Sequence, residues 1–381
     1  MKKMYVKKAA AAALCGAMVL GMAGCSGSSK ETAATTAAAE AAVTTAAPAE
    51  TAAAEVSSNE GKKVAIIYTV TGKGDLSFND AAYAGAKKAS EELGVQLVEV
   101  EPSSLSDTEQ AFEEMSAEGD YELIIGITYE ALDAIAKVAP NYPDQKYALV
   151  DTDAGQPNAV SYIARENESA FMVGCLAALL QEESLPMLND QKVVGIVPAM
   201  DADVPNRHVT GYTCGVKYIN PDVEVLVDYV GSFDDTAAAQ AIAQTMNQNG
   251  ADIVYQVSAA AGLGVFKAAE DMGFMAIGLD DNQNYIDPDT IVASSIKKVD
   301  EFVYTAIADA LDGNFKGGQA LSLGLAENGV GYTFDESQIE VPQEIKDTLE
   351  EIKEKIISGE LQIPNTKDGI DAFTASNHYA E

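Results

Sequence analysis

The stretch that most constrains this chain runs from Lys62 to Gly94, KKVAIIYTVTGKGDLSFNDAAYAGAKKASEELG. Val64 to Val70 is a short apolar, partly β-branched run between polar residues, which suits a strand buried on both faces of a parallel sheet better than a helix. A loop follows with Thr71, Gly72 and Gly74, then Ser77, Phe78, Asn79 and Asp80. The spacing of Ser77 and Asp80 predicts a capping box that opens a helix, and Gly94 is placed to close it. Strand, glycine loop and helix N-terminus together make the corner where open α/β sheets bind ligands, outside the carboxyl end of a strand. The loop carries more than a turn requires. The Phe78 ring offers a stacking face, and Asp75, Ser77, Asn79 and Asp80 surround it with hydrogen-bonding groups.

Downstream the same unit recurs. Apolar runs at Val95 to Val100, Leu123 to Thr128 and Tyr147 to Asp151 alternate with helix-like segments at Ser106 to Ala117 and Ala131 to Ala139. The second half repeats the order, with strands expected at Val193 to Val197, Val223 to Val230, Ile253 to Val257 and Met275 to Leu279. Helices are expected there at Asn206 to Tyr218, Thr236 to Gln248 and Gly262 to Met272. Alternation of this kind implies doubly wound parallel sheets. The 320 residues from Lys62 onward exceed one compact core and predict two lobes. Two such lobes bring the carboxyl ends of both sheets to one cleft, at the loops starting at Thr71, Thr128, Asp151, Pro198, Gly231, Ser258 and Asp280.

Ahead of this region, Lys2, Lys3, Lys7 and Lys8 precede an Ala-rich apolar run from Ala9 to Met22 and then Ala23-Gly24-Cys25. This pattern predicts a secretory signal over residues 1–24. Cys25, directly after Leu20-Gly21-Met22-Ala23-Gly24, resembles the acylated cysteine of bacterial lipoproteins, which implies anchoring on the outer face of the cell membrane. Two or three acyl chains, at about 0.8 kcal/mol per methylene, give stable attachment. Residues 25–61 are rich in Ala, Thr and Glu and predict a disordered tether, because they cannot bury enough apolar surface to offset chain entropy.

The formal charge is −35, and removing residues 1–24 with their four lysines takes it to −39. Nucleic acid and anionic lipid surfaces are poor partners for such a field. Cys175 and Cys214 sit in apolar or small-residue surroundings that favour buried thiols over a disulfide. His208 and His378 have no partner at a metal-ligand spacing, so no metal or cofactor is expected.

Several motifs in one order carry a family resemblance: Gly74-Asp75-Leu76-Ser77-Phe78-Asn79-Asp80, Arg165-Glu166-Asn167-Glu168-Ser169, Tyr229-Val230-Gly231-Ser232-Phe233-Asp234-Asp235, Ile277-Gly278-Leu279-Asp280-Asp281-Asn282 and Ser294-Ser295-Ile296-Lys297. From about Lys62 to its end the chain resembles the basic-membrane-protein family of ABC-transporter solute-binding lipoproteins, the purine-nucleoside receptor group. The resemblance implies a class I periplasmic binding protein fold, two doubly wound parallel-sheet lobes joined by a three-segment hinge. The crossovers are expected near Ala164, Ile296 and Gly324, with one lobe of residues 62–164 plus 297–324 and another of 165–296 plus 325–381. It also implies a non-catalytic monomer that hands a nucleoside to an ABC permease and its ATPase. By that resemblance Phe78 and Asn79 fall in the base-binding loop with Asp75, Ser77 and Asp80, and Tyr129 and Asp133 come from the next loop, Asp133 where the family has a ligand-facing acid. Phe233 is a second stacking aromatic, Ala259 lies at a backbone approach, Asp280 takes ribose hydroxyls and Lys297 stands on the ribose side. Two departures bear on ligand identity: His208 replaces a usual Phe, and Ser258-Ala259-Ala260-Ala261 replaces a glycine-bearing turn, so the Ala259 methyl hinders the ligand's approach.

Two other readings use the same residues. Asp151-Thr152-Asp153-Ala154-Gly155 resembles the start of the calcium-binding cluster of nucleoside hydrolases, although Gln156-Pro157 follows and the strand is the fourth rather than the first. A lipoprotein that binds another small polar solute, or presents its ligand to a signalling partner, would carry the same motifs.

Overall fold

The computed structural model describes residues 59–379; the expected signal peptide, Cys25 and the tether up to residue 58 lie outside the described residues. Asn59 already belongs to the folded part, because its side chain donates to Leu93 O at the end of the first helix. Two six-stranded sheets follow. The first holds β1 (Lys63–Ile67), β2 (Gln96–Val100), β3 (Tyr121–Ile127), β4 (Tyr147–Val150), β5 (Ala159–Ala164) and the late strand β11 (Ala320–Leu323), in the order β2-β1-β3-β4-β5-β11. All its pairings are parallel. The second holds β6 (Val193–Pro198), β7 (Glu224–Val227), β8 (Ala251–Val257), β9 (Met275–Asp280), β10 (Ile291–Lys297) and β12 (Val330–Thr333), in the order β7-β6-β8-β9-β10-β12. Only β12 runs antiparallel there. The two orders match strand for strand. Each sheet reverses its winding beside its first strand, which opens a ligand crevice at the carboxyl ends.

The central strands are buried on both faces, as their continuous apolar runs require: Val64 to Ile67, Leu123 to Ile127 and Ile253 to Val257 are all shielded from solvent. Helices α1 (Phe78–Leu93), α2 (Leu105–Glu118) and α3 (Leu132–Val138) cover the first sheet with α8 (Val299–Leu311). The second is covered by α4 (Glu166–Leu180), α5 (Asp203–Ile219), α6 (Thr236–Gln248), α7 (Leu263–Met272), α9 (Gln343–Ile357) and α10 (Ile370–Ser376). No helix among the described residues is long and apolar enough to cross a membrane. Strand β7 is shorter than the apolar run Val223 to Val230 predicts. Beyond Val227 the chain continues as a loop whose Val230 and Gly231 amides bond Pro198 O and Ala199 O.

The chain passes between the sheets after Ala164, after Lys297 and between Leu323 and Val330, and the three crossings are tied together. Arg165 bonds Glu168 and Glu327, each at 2.6 Å, while Glu168 accepts from Leu325 N at 2.8 Å. Lys298 N meets Gly329 O at 3.0 Å. Beside this hinge α4 and α5 pack with backbones nearly touching. A Cβ on Gly211 would stand 2.1 Å from Asn167 O, so only glycine permits the approach that brings α5 against the start of α4. Cys175 and Cys214 are free, buried thiols.

Candidate functional site

Between the carboxyl ends of the two sheets lies a cavity, the place where open α/β sheets bind ligands. Residues from both sheets line it. Thr69, Asp75, Phe78, Thr128 and Asp151 come from the first side, and Pro205, His208, Phe233, Ala259, Asp280 and Lys297 from the second side and the hinge. Four lining residues, Thr128, Asp151, Ala259 and Asp280, take positive φ of 64°, 74°, 49° and 66° although none is glycine. Such backbone costs of order 1 kcal/mol or more per residue and collects at ligand clamps. Here it turns the chain sharply just as each strand ends.

The β1–α1 corner is built otherwise than a capping box. Ser77 is the residue before the helix, but its side chain caps nothing. Asp75 does the capping from two residues upstream, its carboxylate accepting from the amides of Ser77 (3.0 Å), Asn79 (2.9 Å) and Asp80 (3.2 Å). Asp80 turns back to accept from Gly74 N and Leu76 N. Ser77 is thereby released to reach the other lobe, where its Oγ donates to Asp280 Oδ2 at 2.6 Å. Gln283 Nε2 crosses the same way to Leu76 O at 2.8 Å. Asn79 is held by Thr69, which places its amide in the cavity wall.

A buried charge cluster reaches the cavity through Asp151, Asp280 and Lys297. Lys297, 5% exposed, lies 2.9 Å from Asp151, 3.3 Å from Glu166 and 3.8 Å from Asp280, with its ammonium 4.7 Å from the Phe78 ring centre. Arg207 meets Glu166 from the other side at 3.3 Å. Burial alone would pull the Lys297 ammonium down, yet Asp151, Glu166 and Asp280 hold it above its usual value. Burial pushes Glu166 up against the pull of Lys297 and Arg207, and pushes Asp280 up to about 6 against Lys297 and the Ser77 hydroxyl. Asp151 Oδ1 and both Glu166 oxygens have no hydrogen-bond partner among the described residues. The cavity wall thus carries the Asp151 and Asp280 carboxylates together with one cation, Lys297, that is already neutralised.

A cavity between the switch points of two doubly wound sheets is the arrangement of two-lobed solute-binding proteins, and sequence comparison agrees. The family model of PnrA-like substrate-binding proteins of ABC transporters, Bmp, matches residues 62–367. The chain belongs to this family. An uncharacterised lipoprotein of Pyrococcus abyssi is 36% identical over 282 residues, 71% of this chain and 68% of that protein. A Lactococcus lactis protein named as the ABC transporter nucleoside-binding protein BmpA is 29% identical over 338 residues, 82% of this chain and 93% of its own length. Among solved structures, a solute-binding protein of an ABC transporter system from Aeropyrum pernix superposes with a TM-score of 0.73 at 33% identity, covering 83% of this chain and 98% of that one. The fold is therefore that of the periplasmic solute-binding proteins.

Within this Bmp-family frame, Asp75, Phe78, Asn79, Tyr129, Phe233, Ala259, Asp280 and Lys297 line the cavity. Ser77 stands behind it on Asp280, and Asp80 braces the loop. Asp133 does not line it. On α3 the core side belongs to Ala134, Ile135 and Val138, which turns Asp133 to solvent. The acids that line it after β3 and β4 are Glu130, which accepts from Val70 N, and Asp151. Asp151, at the start of the fragment compared above with a calcium cluster, pairs with Lys297. Sequence reasoning named Asp151 as the start of a cleft loop and His208 as a departure bearing on ligand identity, but gave no role to either or to Glu166. Asp151 carried a signal in ending a strand, as Asp280 does; Glu166 stood inside a family motif with no role attached.

Proposed function

We propose that this protein is the lipid-anchored extracytoplasmic receptor of an ABC importer, that it captures a nucleoside, a purine nucleoside foremost, between its lobes without catalysing any reaction, and that the closed form docks on the permease. One lobe comprises residues 62–164 with 297–324, the other 165–296 with 325–381. The observation that carries the reading is the pairing of the Phe78 face with the buried Asp280 carboxylate across one cavity: an aromatic wall for a base and an acceptor for vicinal hydroxyls. Asn79 and Phe233 serve the base, Lys297 the sugar side, and Tyr129 the rim. Asp75, Ser77 and Asp80 shape the loop that receives them. Closure draws on contacts that only the shut form makes, such as those of Ser77 with Asp280 and Gln283 with Leu76. The acylated Cys25 and its tether keep this unit at the membrane. The name of the Lactococcus lactis relative supports the ligand class. Calorimetry of the refolded, unlipidated protein with a panel of nucleosides tests it: one molecule bound per chain is expected, and the absence of binding across the panel overturns the nucleoside assignment.

A further inference from the structure

Of the 24 basic residues in the chain only Arg165 and Arg207 are arginines; every other one is lysine. Both stand beside the first crossing between the sheets. Arg165 follows Ala164 directly, and its guanidinium binds Glu168, Glu327 and Ser322 O, at or next to the crossings. Arg207 reaches the same point from α5. Its Nη1 donates to Ala164 O at 3.3 Å and faces Glu166 at 3.3 Å, while Nη2 donates to Asp151 O at 3.2 Å. Partners spread in this way suit a planar fork, which the compact ammonium of lysine does not supply.

The bond from Arg207 to Asp151 runs between the two sheets. Helix α5 covers the second sheet and is held against the start of α4 through Gly211, so Arg207 travels with that side. Asp151 ends β4 of the first sheet, at a φ of 74°. A counterpart exists at the opposite corner. Because the strand orders match, β4 corresponds to β9 and α5 to α1, and there Ser77, just before α1, holds Asp280 at the end of β9, at a φ of 66°. Each helix start thus grips the strained turn that ends the fourth strand of the facing sheet. Arg207 does this without entering the cavity, whose wall takes Val204, Pro205 and His208 from α5 but not Arg207. Its side chain is 15% exposed, and it borders a separate groove with Thr152 and Asp153. When the lobes part, water from that groove replaces the two carbonyls and Glu166, carried by α4, keeps the guanidinium paired, so opening strands no charge.

We propose that Arg207 is a positioning residue, a clasp that draws the two lobes together over the bound ligand without touching it. The clasp rests on the reading that a ligand is held between closing lobes, and not on that ligand being a nucleoside. Its bonds involve no ligand atom. They therefore raise the closed fraction of the protein by one factor, and every ligand gains that same factor in affinity.

Two measurements test this on the refolded, unlipidated full-length protein. The first is ¹⁵N relaxation dispersion at the arginine Nε–H groups of ligand-free wild type. The sequence holds only two arginines, so an Arg165→Lys variant assigns the spectrum. Exchange on the microsecond-to-millisecond scale is expected at Arg207 as the clasp makes and breaks, and it should vanish in the adenosine complex. A flat profile at Arg207 in the ligand-free protein, or exchange that persists in the complex, overturns the clasp. The second is a calorimetric titration of wild type and Arg207→Lys with adenosine and 2′-deoxyadenosine, the variant first checked by its ligand-free melting curve. Lysine keeps a charge beside Glu166 but loses the fork, and should raise both dissociation constants by about tenfold, about 1.4 kcal/mol, with their ratio unchanged. Unchanged affinity for both compounds means that Arg207 only neutralises Glu166, and an unequal change means that it contacts the ligand; either overturns the proposal. The relaxation profile keeps the test intact if Arg207→Lys fails to fold. Failure of wild type to bind either compound overturns the nucleoside reading alone, and the ligand-free profile at Arg207 still decides whether the clasp exists.

Discussion

Ser77 Oγ reaches across the cleft and donates to Asp280 Oδ2 at 2.6 Å, so the loop after the first strand holds the carboxylate that ends the ninth. That carboxylate is pushed up to about 6, by burial first, with Lys297 and Ser77 pulling the other way. The sign follows from which form is useful. The ionised group accepts from two hydroxyls and the protonated one does so poorly, so nucleoside affinity should fall as pH drops through about 6, by at most about tenfold per unit for one proton, and stay level above about 7. The same shift acts oppositely on the empty fold, whose stability rises as pH falls through 6, because unfolded Asp280 binds its proton only near its ordinary 3.8. Titrations at several pH values check the first effect, and Asp280→Asn should flatten it. A wild-type affinity that is constant down to pH about 5 speaks against Asp280 as the acceptor.

Lys297 compensates Asp151, Glu166 and Asp280 together. Lys297→Met leaves these buried acids facing one another with only Arg207 nearby, and should cost about 3–5 kcal/mol in urea denaturation, besides weakening binding. A loss below about 1 kcal/mol would mean that the cluster is solvated or protonated instead.

The same saturation of Lys297 bears on ligand charge. It is the one cation among the residues lining the cavity, and three acids already hold it. A nucleoside should therefore bind much better than its 5′-monophosphate, and raised salt should change nucleoside affinity little. Competition between the two ligands decides, and equal or tighter binding of the monophosphate would point to Arg207 as a phosphate partner.

Much of this architecture was legible because parallel sheets write themselves as apolar runs. The strands at Val64, Leu123, Ile253 and Met275 and their helices lie where alternation puts them. The cleft loops follow from strand direction alone. The local chemistry was less legible. Ser77 and Asp80 have the spacing of a capping box, but Asp75 competes for the same amides, and the freed hydroxyl finds a partner 203 residues away. Asp133 reads as a ligand acid until the face of α3 is known. Asp151 and His208 enter the site through a positive φ and through glycine-mediated packing of α5 on α4, neither of which has a period to read.

Anchoring is tested apart from the fold. Cys25→Ala should move the protein from the membrane fraction to the soluble one or leave an uncleaved precursor, and unchanged membrane extraction with an unaltered lipid-labelled band would remove the lipoprotein reading.

The central claim, that Asp280 anchors a nucleoside through its ribose hydroxyls, is tested most directly by one calorimetric cycle: wild type and Asp280→Ala, each titrated with a nucleoside and its 2′-deoxy form. A hydrogen bond to a charged group contributes about 1.5–3 kcal/mol, so Asp280→Ala should weaken binding by about one to two orders of magnitude. Wild type should bind the deoxynucleoside less well, and this preference should shrink in the variant, because the deleted hydroxyl and the deleted carboxylate report on one contact. If Asp280→Ala binds as tightly as wild type, or keeps the full ribose preference, the account is contradicted and Asp280 serves only to hold Ser77 and the closed cleft.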